Sequence, residues 1–237
     1  MEFIRIGIYM AMESEAKAFI ESLEFTSGID TSPYGFKSYS AEDKNYKIQL
    51  LVGEQDSKYN VQSVGTVPAA IATDMLIKNF NPNVVINAGT AGGFKSRGAQ
   101  IGEVYAADST QFHNRRIQIP GYAEYGRYYL THKNDYYQKI ISNLNLKAGL
   151  LTTGDSLDYS DLDKELVEPN KAVIKDMEAA AIAWVCYHHQ TPAIFLKSVT
   201  DIVDGPHANV NEFLQNLQEA STNLSKTLIR LIQSHAL

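Results

Sequence analysis

The apolar positions in the first eighty residues alternate between strand-like and helix-like spacing. Residues 4–10 form a mostly apolar run that predicts a strand, and the acidic segment after it opens a helix. The apolar face of this helix is predicted to hold Ala16, Phe19, Ile20 and Leu23. Residues 33–52 alternate enough to predict two antiparallel strands around a polar turn at 42–45. A second helix is predicted over 66–80.

Further strands are predicted at 84–87, 102–107 and 150–153. The loop at 88–93 is rich in glycine, which lets the backbone approach a ligand closely. It lacks the GxGxxG pattern, so no dinucleotide site is predicted. Thr90 has two interpretations, a turn residue that bonds its own backbone or a hydroxyl that faces a ligand. Leucines at helical spacing predict a carboxy-terminal helix over 210–232.

The stretch from 173 to 205 holds the clearest functional pattern. A short apolar run at 172–174 ends in a charged cluster, a buried alanine-rich helix follows over 179–189, and a second apolar run spans 193–199. This order predicts a βαβ unit with parallel strands. Glu178 and Asp201 then follow the carboxyl ends of the two strands, which is where open α/β sheets bind ligands.

Composition limits the classes of protein that fit these elements. The 237 residues include 44% hydrophobic and 20% charged residues, typical of a soluble globule, and we see no linker, so one domain over 1–237 is predicted. A net charge of −6 argues against a nucleic-acid or membrane-surface binder. The single cysteine, Cys186, cannot form an internal disulfide. With no apolar membrane span or signal peptide, these features predict a cytoplasmic protein.

Carboxylates at strand ends are the strongest candidates for chemistry. They are Glu15, Glu178 and Asp201, and Glu15 has the alternative interpretation of a first-turn acid that favours the helix dipole. His188 and His189 are adjacent and point different ways on a helix, so neither a metal nor a cofactor is predicted. Carboxylates without a metal suit proton transfer and stabilisation of a cationic transition state, as in glycoside cleavage.

Eight segments, spread over nearly the whole chain and in the same order, resemble one family. They are AMESEA (11–16), SVGTVPA (63–69), INAGTAGGFKSRGAQIG (86–102), FHNRRIQIP (112–120), LLTTGDSLD (150–158), IKDMEAAAIA (174–183), FLKSVTDIVDG (195–205) and EFLQNL (212–217). Together they are similar to the 5′-methylthioadenosine nucleosidases of the purine nucleoside phosphorylase-like superfamily. The sequences of the motifs resemble those of its plant-type branch. The resemblance implies an α/β/α sandwich around a central mixed sheet, assembled as a homodimer.

The resemblance also implies an activity, hydrolysis of 5′-methylthioadenosine to adenine and 5-methylthioribose, and a role for each site residue. Asp201 would protonate N7 of adenine, Glu15 would activate water, and Glu178 would bind the ribose hydroxyls. Thr90 would line the site and Leu157 would cover the base, at a position where bacterial members carry phenylalanine. The backbone of Lys175, Asp176 and Met177 would border the site.

Three alternatives remain beside this interpretation. The first is a phosphorylase, which needs positive charge beside the ribose; the strand at 84–87 ends in Asn87 with no cation, and the loop at 53–65 offers only Lys58. The second is a nucleoside-binding module without activity, and the third is a hydrolase for another nucleoside such as futalosine. The resemblance places the 5′ pocket partly on partner-subunit loops at 112–126 and 207–213 and leaves S-adenosylhomocysteine open as a substrate.

Overall fold

The structure is a computed structural model that describes residues 3–42, 45–129, 135–205 and 209–234. The strands are β1 (Ile4–Met10), β2 (Thr26–Ser27), β3 (Phe36–Glu42), β4 (Tyr46–Gly53), β5 (Val84–Gly93), β6 (Val104–Phe112), β7 (Arg127–Tyr129), β8 (Lys147–Thr153), β9 (Ile174–Asp176) and β10 (Ala193–Ile202). The α-helices are α1 (Glu13–Ile20), α2 (Thr66–Phe80), α3 (Tyr122–Tyr125), α4 (Asp135–Leu144), α5 (Asp161–Val167), α6 (Ala179–His189) and α7 (Asn209–Gln233).

The strands form one mixed sheet in the order β10-β6-β8-β9-β5-β1-β4-β3-β2, and β7 joins this sheet by pairing antiparallel with β6. β10 also pairs with β5, so that β5, β10, β6, β8 and β9 close into a circuit of paired strands. β1 lies between β4 and β5 and is parallel to both. The open half of the sheet ends in β2, which pairs antiparallel with β3. β3 and β4 are antiparallel neighbours, which confirms the pair predicted within 33–52; residues 43 and 44 of the predicted turn lie outside the described residues.

The predicted parallel βαβ unit is wrong. β9 pairs antiparallel with β5, whereas β10 pairs parallel with β5, so β9 and β10 run in opposite directions. Apolar spacing identifies a strand but carries no information on its direction. The short strand β9 instead takes a place parallel to β8 and meets only the last residues of β5. Lys175 of β9 and Asp201 of β10 both pair with Gly92, so the two strands still meet at one end of β5.

Helices cover both faces of the sheet and bury two apolar cores. On one face α2 and α6 pack around residues such as Leu76 and Ile182. On the other face α1, α4 and α7 pack around residues such as Phe19, Ile140 and Leu228. Fully burying one such side chain contributes about 1.5–3 kcal/mol, so these layers supply much of the stability. The arrangement confirms the predicted three-layer α/β/α fold with a central mixed sheet.

Several elements differ in extent from their predictions. β5 continues through the glycine-rich segment to Gly93, six residues past the predicted end at 87, because glycines 89, 92 and 93 extend without side-chain conflict. α1 ends at Ile20, so Leu23 packs on the core from beyond the helix. Helices α4 and α5 were not predicted. Within the described ranges, no helix has both the length and the apolar content needed to cross a bilayer.

Candidate active site

A cavity of about 330 Å³ opens where the start of α1, the end of β5, the β9–α6 junction and the end of β10 meet. Its walls include every residue that the sequence singled out as a site candidate: Glu15, Thr90, Leu157, Lys175, Asp176, Met177, Glu178 and Asp201. Residues separated by up to 186 positions in the chain therefore line one cavity. The walls also contain Phe213, whereas His207 lies outside the described residues.

Glu15 is held in the first turn of α1 with its carboxylate turned into the protein, only 2% exposed. One oxygen accepts hydrogen bonds from the backbone N–H of Thr90 at 2.6 Å and from the Thr90 hydroxyl at 2.7 Å. The other accepts the N–H of Met12 at 3.2 Å. Burial raises the pKa of Glu15, against the lowering effect of Lys197 and these hydrogen bonds. The Thr90 hydroxyl thus orients an acid.

Glu178 immediately precedes α6 and is also buried. Its Oε1 accepts the backbone N–H of Gly65 at 3.2 Å, and its Oε2 lies 3.5 Å from the ammonium of Lys197. Burial is the main reason that the pKa of Glu178 rises to about 7, with Lys197 acting against it and the charges of Asp176 and Glu15 adding to it. At neutral pH this carboxyl group therefore lies close to its pKa, so a small change in its surroundings can change its charge.

Lys197 is a buried charged residue beside the candidate site that the sequence interpretation missed. It lies in the middle of β10, 1% exposed, with Nζ 2.9 Å from Oδ2 of Asp176. Burial alone would lower the pKa of Lys197, but the nearby charges of Asp176, Glu178 and Glu15 outweigh it and the pKa is raised. A lysine inside an apolar strand was the available signal, since such a charge is buried only with a partner.

Gly89 keeps space open for this ammonium group. A Cβ at this position would lie 3.2 Å from Nζ of Lys197 and 3.3 Å from Oε1 of Glu15. Asp176, which pairs with Lys197, also accepts the Thr153 hydroxyl at 2.6 Å and the Ala179 N–H at 3.0 Å. The oxygens of Asp176 are therefore already engaged by the protein, and its side chain holds the ammonium group of Lys197 in place.

Asp201 lines the same cavity from near the end of β10 and is 2% exposed. Its Oδ1 accepts the hydroxyl of Thr200 at 2.8 Å, and among the described residues its Oδ2 accepts no hydrogen bond. Burial raises the pKa of Asp201, the Thr200 hydrogen bond and the charge of Lys175 lower it, and Glu212 raises it further. The result is a carboxyl group that is protonated more easily than a free aspartate and has one oxygen to which no described side chain or backbone group donates.

Over nearly its whole length the chain is similar in sequence to plant nucleosidases. A sequence model described as "Phosphorylase superfamily" matches residues 5–233. A 5′-methylthioadenosine/S-adenosylhomocysteine nucleosidase of Arabidopsis thaliana is 39% identical over 231 residues, covering 96% of this chain and 90% of that protein. A 5′-methylthioadenosine nucleosidase of the same plant is 40% identical, covering 94% of this chain and 84% of that protein.

A solved structure of similar shape supports the same assignment. The apo structure of an Arabidopsis thaliana 5′-methylthioadenosine nucleosidase superposes with a TM-score of 0.92 at 36% identity, covering 99% of this chain and 96% of that chain. The chain therefore belongs to the phosphorylase superfamily and, within it, to the family of 5′-methylthioadenosine nucleosidases.

Proposed function

We propose that the protein hydrolyses the N-glycosidic bond of 5′-methylthioadenosine and releases adenine and 5-methylthioribose. The observation that carries this proposal is the meeting of Glu15, Glu178 and Asp201 around one cavity. The names of the similar plant proteins point to the same substrate. Cleaving this bond needs one group that protonates the adenine and another that accepts a proton from the water attacking C1′ of the sugar. These carboxyl groups can supply both.

Asp201 is the proposed general acid. Its proton would pass to N7 of adenine as the bond between C1′ and N9 breaks, so that the bonding electron pair leaves with a neutral base. Its buried surroundings favour the protonated form that this step needs. Thr200 holds one carboxyl oxygen, which leaves the other to face the base.

Glu15 and Glu178 are the proposed partners of the sugar. Glu15 would accept a proton from water as the oxygen adds to C1′, and Glu178 would accept hydrogen bonds from the 2′ and 3′ hydroxyls. Loss of adenine leaves positive charge on the sugar, which ionised carboxylates nearby would stabilise. Lys197 lies behind these groups and limits their mutual repulsion without occupying the cavity.

The remaining predicted residues are proposed to shape the binding site. Leu157 would cover one face of the adenine, Met177 would lie against the ribose, and Thr90 would line the site while fixing Glu15. The backbone of Lys175, Asp176 and Met177 would border the site. S-adenosylhomocysteine is a proposed second substrate, as the name of one relative includes it.

The charges of the site disfavour phosphate as the attacking group. Lys197 lies near the proposed ribose position, but it is already paired with Asp176 and Glu178. A phosphate at C1′ would therefore face the carboxylates Glu15 and Glu178 without a free cation from this lysine. Water carries no charge and meets no such repulsion, so hydrolysis is favoured over phosphorolysis.

The deciding experiment is adenine release in phosphate-free buffer, from 5′-methylthioadenosine and separately from S-adenosylhomocysteine. We expect rapid release from the first substrate without phosphate, and the ratio of the two rates measures how far the site admits the larger substituent. Release only after phosphate is added would establish a phosphorylase. No release under either condition would indicate another nucleoside or a binding module.

We also propose that two copies of the chain form a homodimer through an aromatic patch on α6 and the neighbouring loop. The patch comprises Trp184, Tyr187 and His188 of α6 together with Arg115, Tyr122 and Tyr125, and the buried Tyr128 packs against Tyr187. Trp184 donates its indole N–H to the Tyr125 hydroxyl at 2.9 Å, yet its side chain stays 38% exposed, and Tyr187 is 62% exposed. A contiguous aromatic surface of this kind typically marks a protein contact.

The dimer proposal is tested by the molar mass in solution, measured by light scattering after size-exclusion chromatography. The wild-type protein should have twice the mass of the chain, and Trp184→Glu should shift it to the monomer mass. Leu162→Glu is the matched control, because Leu162 is 43% exposed on α5 and lies outside the patch. A monomeric wild-type protein would reject the proposal.

A cytoplasmic role in methionine salvage is proposed alongside, consistent with the buried, unpaired Cys186.

A further inference from the structure

The ammonium group of Lys175 is buried inside the turn formed by residues 156–158. Lys175 is 5% exposed, and its Nζ donates to the backbone carbonyls of Ser156, of Asp158 at 3.0 Å and of Leu157 at 3.4 Å. An ammonium group has three N–H donors, so the three carbonyls of one turn can take all of them. This lysine therefore binds backbone at the edge of the cavity, with its stem contributing to the wall.

The cation is kept here without an ion pair among the described residues. Burial lowers the pKa of Lys175, and the charges of Asp163, Asp158, Asp201 and Asp176 raise it from a distance. Burying an ammonium group is unfavourable unless hydrogen bonds satisfy it, and here backbone carbonyls do so. A methionine of similar length would avoid the cost of burying an ammonium group. We therefore attribute the presence of a lysine here to its hydrogen bonds to the turn.

The turn itself has little regular structure to hold it. Residues 156–158 belong to no helix or strand. The residue before them, Asp155, accepts the backbone N–H of Thr66 at 2.7 Å and its hydroxyl at 2.6 Å, which ties one end to the start of α2. Lys175 ties the remainder to β9. Between these two anchors Leu157, 40% exposed, faces the cavity.

We propose that Lys175 is a positioning residue that fixes Leu157 as the wall against the substrate's base. The inference rests on the proposed function, since it assigns the adenine to the space beside Leu157. Lys175 pairs in register with Gly92, and Gly92 pairs with Asp201. The same lysine thus links the wall that covers the base to the strand that carries the proposed acid. Loosening the turn would let the base tilt away from Asp201.

A double-mutant cycle on the full chain tests this proposal, with adenine release from 5′-methylthioadenosine as the assay. Lys175→Met keeps the length of the side chain and removes its donors, and Leu157→Ala removes the wall. Each variant should raise KM about tenfold, within the range for coupled neighbouring residues, and the double variant should be no worse than the poorer single variant. Lys164→Met, the same change at an exposed position on α5, should leave KM unchanged.

The KM readout separates positioning from loss of folded protein, because a smaller folded fraction lowers kcat and leaves KM unchanged. Independent, additive effects of the two substitutions, or a wild-type KM for Lys175→Met, would overturn the proposal. If Lys175→Met does not fold, Lys175→Gln keeps a shorter donor and should give an intermediate KM; an unchanged KM in this variant would equally overturn it.

Hydrogen exchange distinguishes failure of this inference from failure of the proposed reaction. Backbone amides of residues 155–159 should exchange faster in the folded Lys175 variant than in wild type, while amides of α5 stay unchanged. This measurement needs no substrate. If wild type fails to release adenine but the turn still loosens in the variant, the reaction is wrong and the anchor stands. Unchanged exchange in the turn would reject the anchor.

Discussion

Lys197 is the residue on which the charge balance of the cavity depends. Its ammonium group lies 2.9 Å from Asp176 and 3.5 Å from Glu178, all three side chains being nearly inaccessible to solvent. Replacing it by methionine leaves buried carboxylates with no cation, so Lys197→Met should lower the free energy of unfolding by about 3–5 kcal/mol. Urea unfolding followed by circular dichroism measures this change.

The matched control is Lys37→Met, which removes a lysine from a surface ion pair. Lys37 lies 2.7 Å from Glu13, but the two side chains are 38% and 41% exposed. Exposed pairs of this kind contribute about 0–1 kcal/mol, so this variant should unfold close to wild type. Equal losses in the two variants would show that burial of Lys197 does not govern its contribution.

Asp201 is the residue whose protonation the proposed chemistry requires. Asp201→Asn preserves the shape of the side chain but cannot give up an acidic proton, so kcat should fall by at least about a hundredfold. Binding of adenine and the unfolding temperature should change little, because the amide oxygen in this variant can still accept the Thr200 hydroxyl. Adenine release measures kcat, and calorimetric titration with adenine measures binding. Full activity in this variant would contradict the role of Asp201 as the general acid.

At the scale of elements, α2 begins in an unusual way. Gly65 precedes it and has no side chain to cap the helix, and its backbone has φ of 115°, a conformation that favours glycine. Asp155, from the loop after β8, accepts the Thr66 N–H and hydroxyl instead. We expect Asp155→Ala to lower the free energy of unfolding by about 1 kcal/mol, the usual effect of losing a helix cap.

The control for the cap is Asp161→Ala, in the first turn of α5. The Asp161 side chain is 96% exposed and bonds only a surface lysine among the described residues. Its loss should change the free energy of unfolding by less than about 0.5 kcal/mol. Denaturation curves of both variants at pH 7 provide the comparison. A change for Asp155→Ala no larger than for the control would mean that α2 needs no external cap.

Comparison of the predicted and observed elements shows which parts of the fold could be predicted from the sequence. Strands such as β1 and helix α2 were predicted with their observed bounds, since unbroken apolar runs and clear end signals mark them. Helix α4 carried a usable signal in Tyr137, Ile140 and Leu144, which are buried at helical spacing. The direction of β9 had none, because three residues fix neither a register nor a partner.

The three candidate carboxylates could be placed from the sequence for a related reason, whereas their buried neighbours could not. Glu15, Glu178 and Asp201 each follow or end an apolar run, so their position along the chain already places them at strand ends. Lys197 and the Lys175 contacts could not be predicted in the same way. A buried cation depends on partners from distant segments, and only the closed circuit of strands brings Asp176 and Glu178 around Lys197.

At the scale of the whole molecule, the buried carboxyl groups make stability depend on pH. The folded protein raises the pKa of Glu178 from 4.5 to about 7, chiefly by burial. A raised pKa means that the fold favours the protonated form, so the contribution is complete below about pH 4.5 and is lost as the pH rises through about 7. The contribution falls as the pH rises above about 4.5, and wild-type protein loses the remaining part of it between pH 6 and pH 8. A glutamine at this position does not titrate and loses nothing over this range.

Glu178→Gln should accordingly gain about 1 kcal/mol relative to wild type between pH 6 and pH 8. Denaturant unfolding at both pH values measures the difference between variant and wild type, so that titrations elsewhere in the molecule cancel. Glu13→Gln, with its carboxylate at the surface and 41% exposed, should keep a constant difference from wild type. A constant difference for Glu178→Gln as well would mean that Lys197 keeps this carboxyl ionised throughout. The proposed reaction would then begin with the carboxylate of Glu178, the proposed partner of the ribose hydroxyls, already charged.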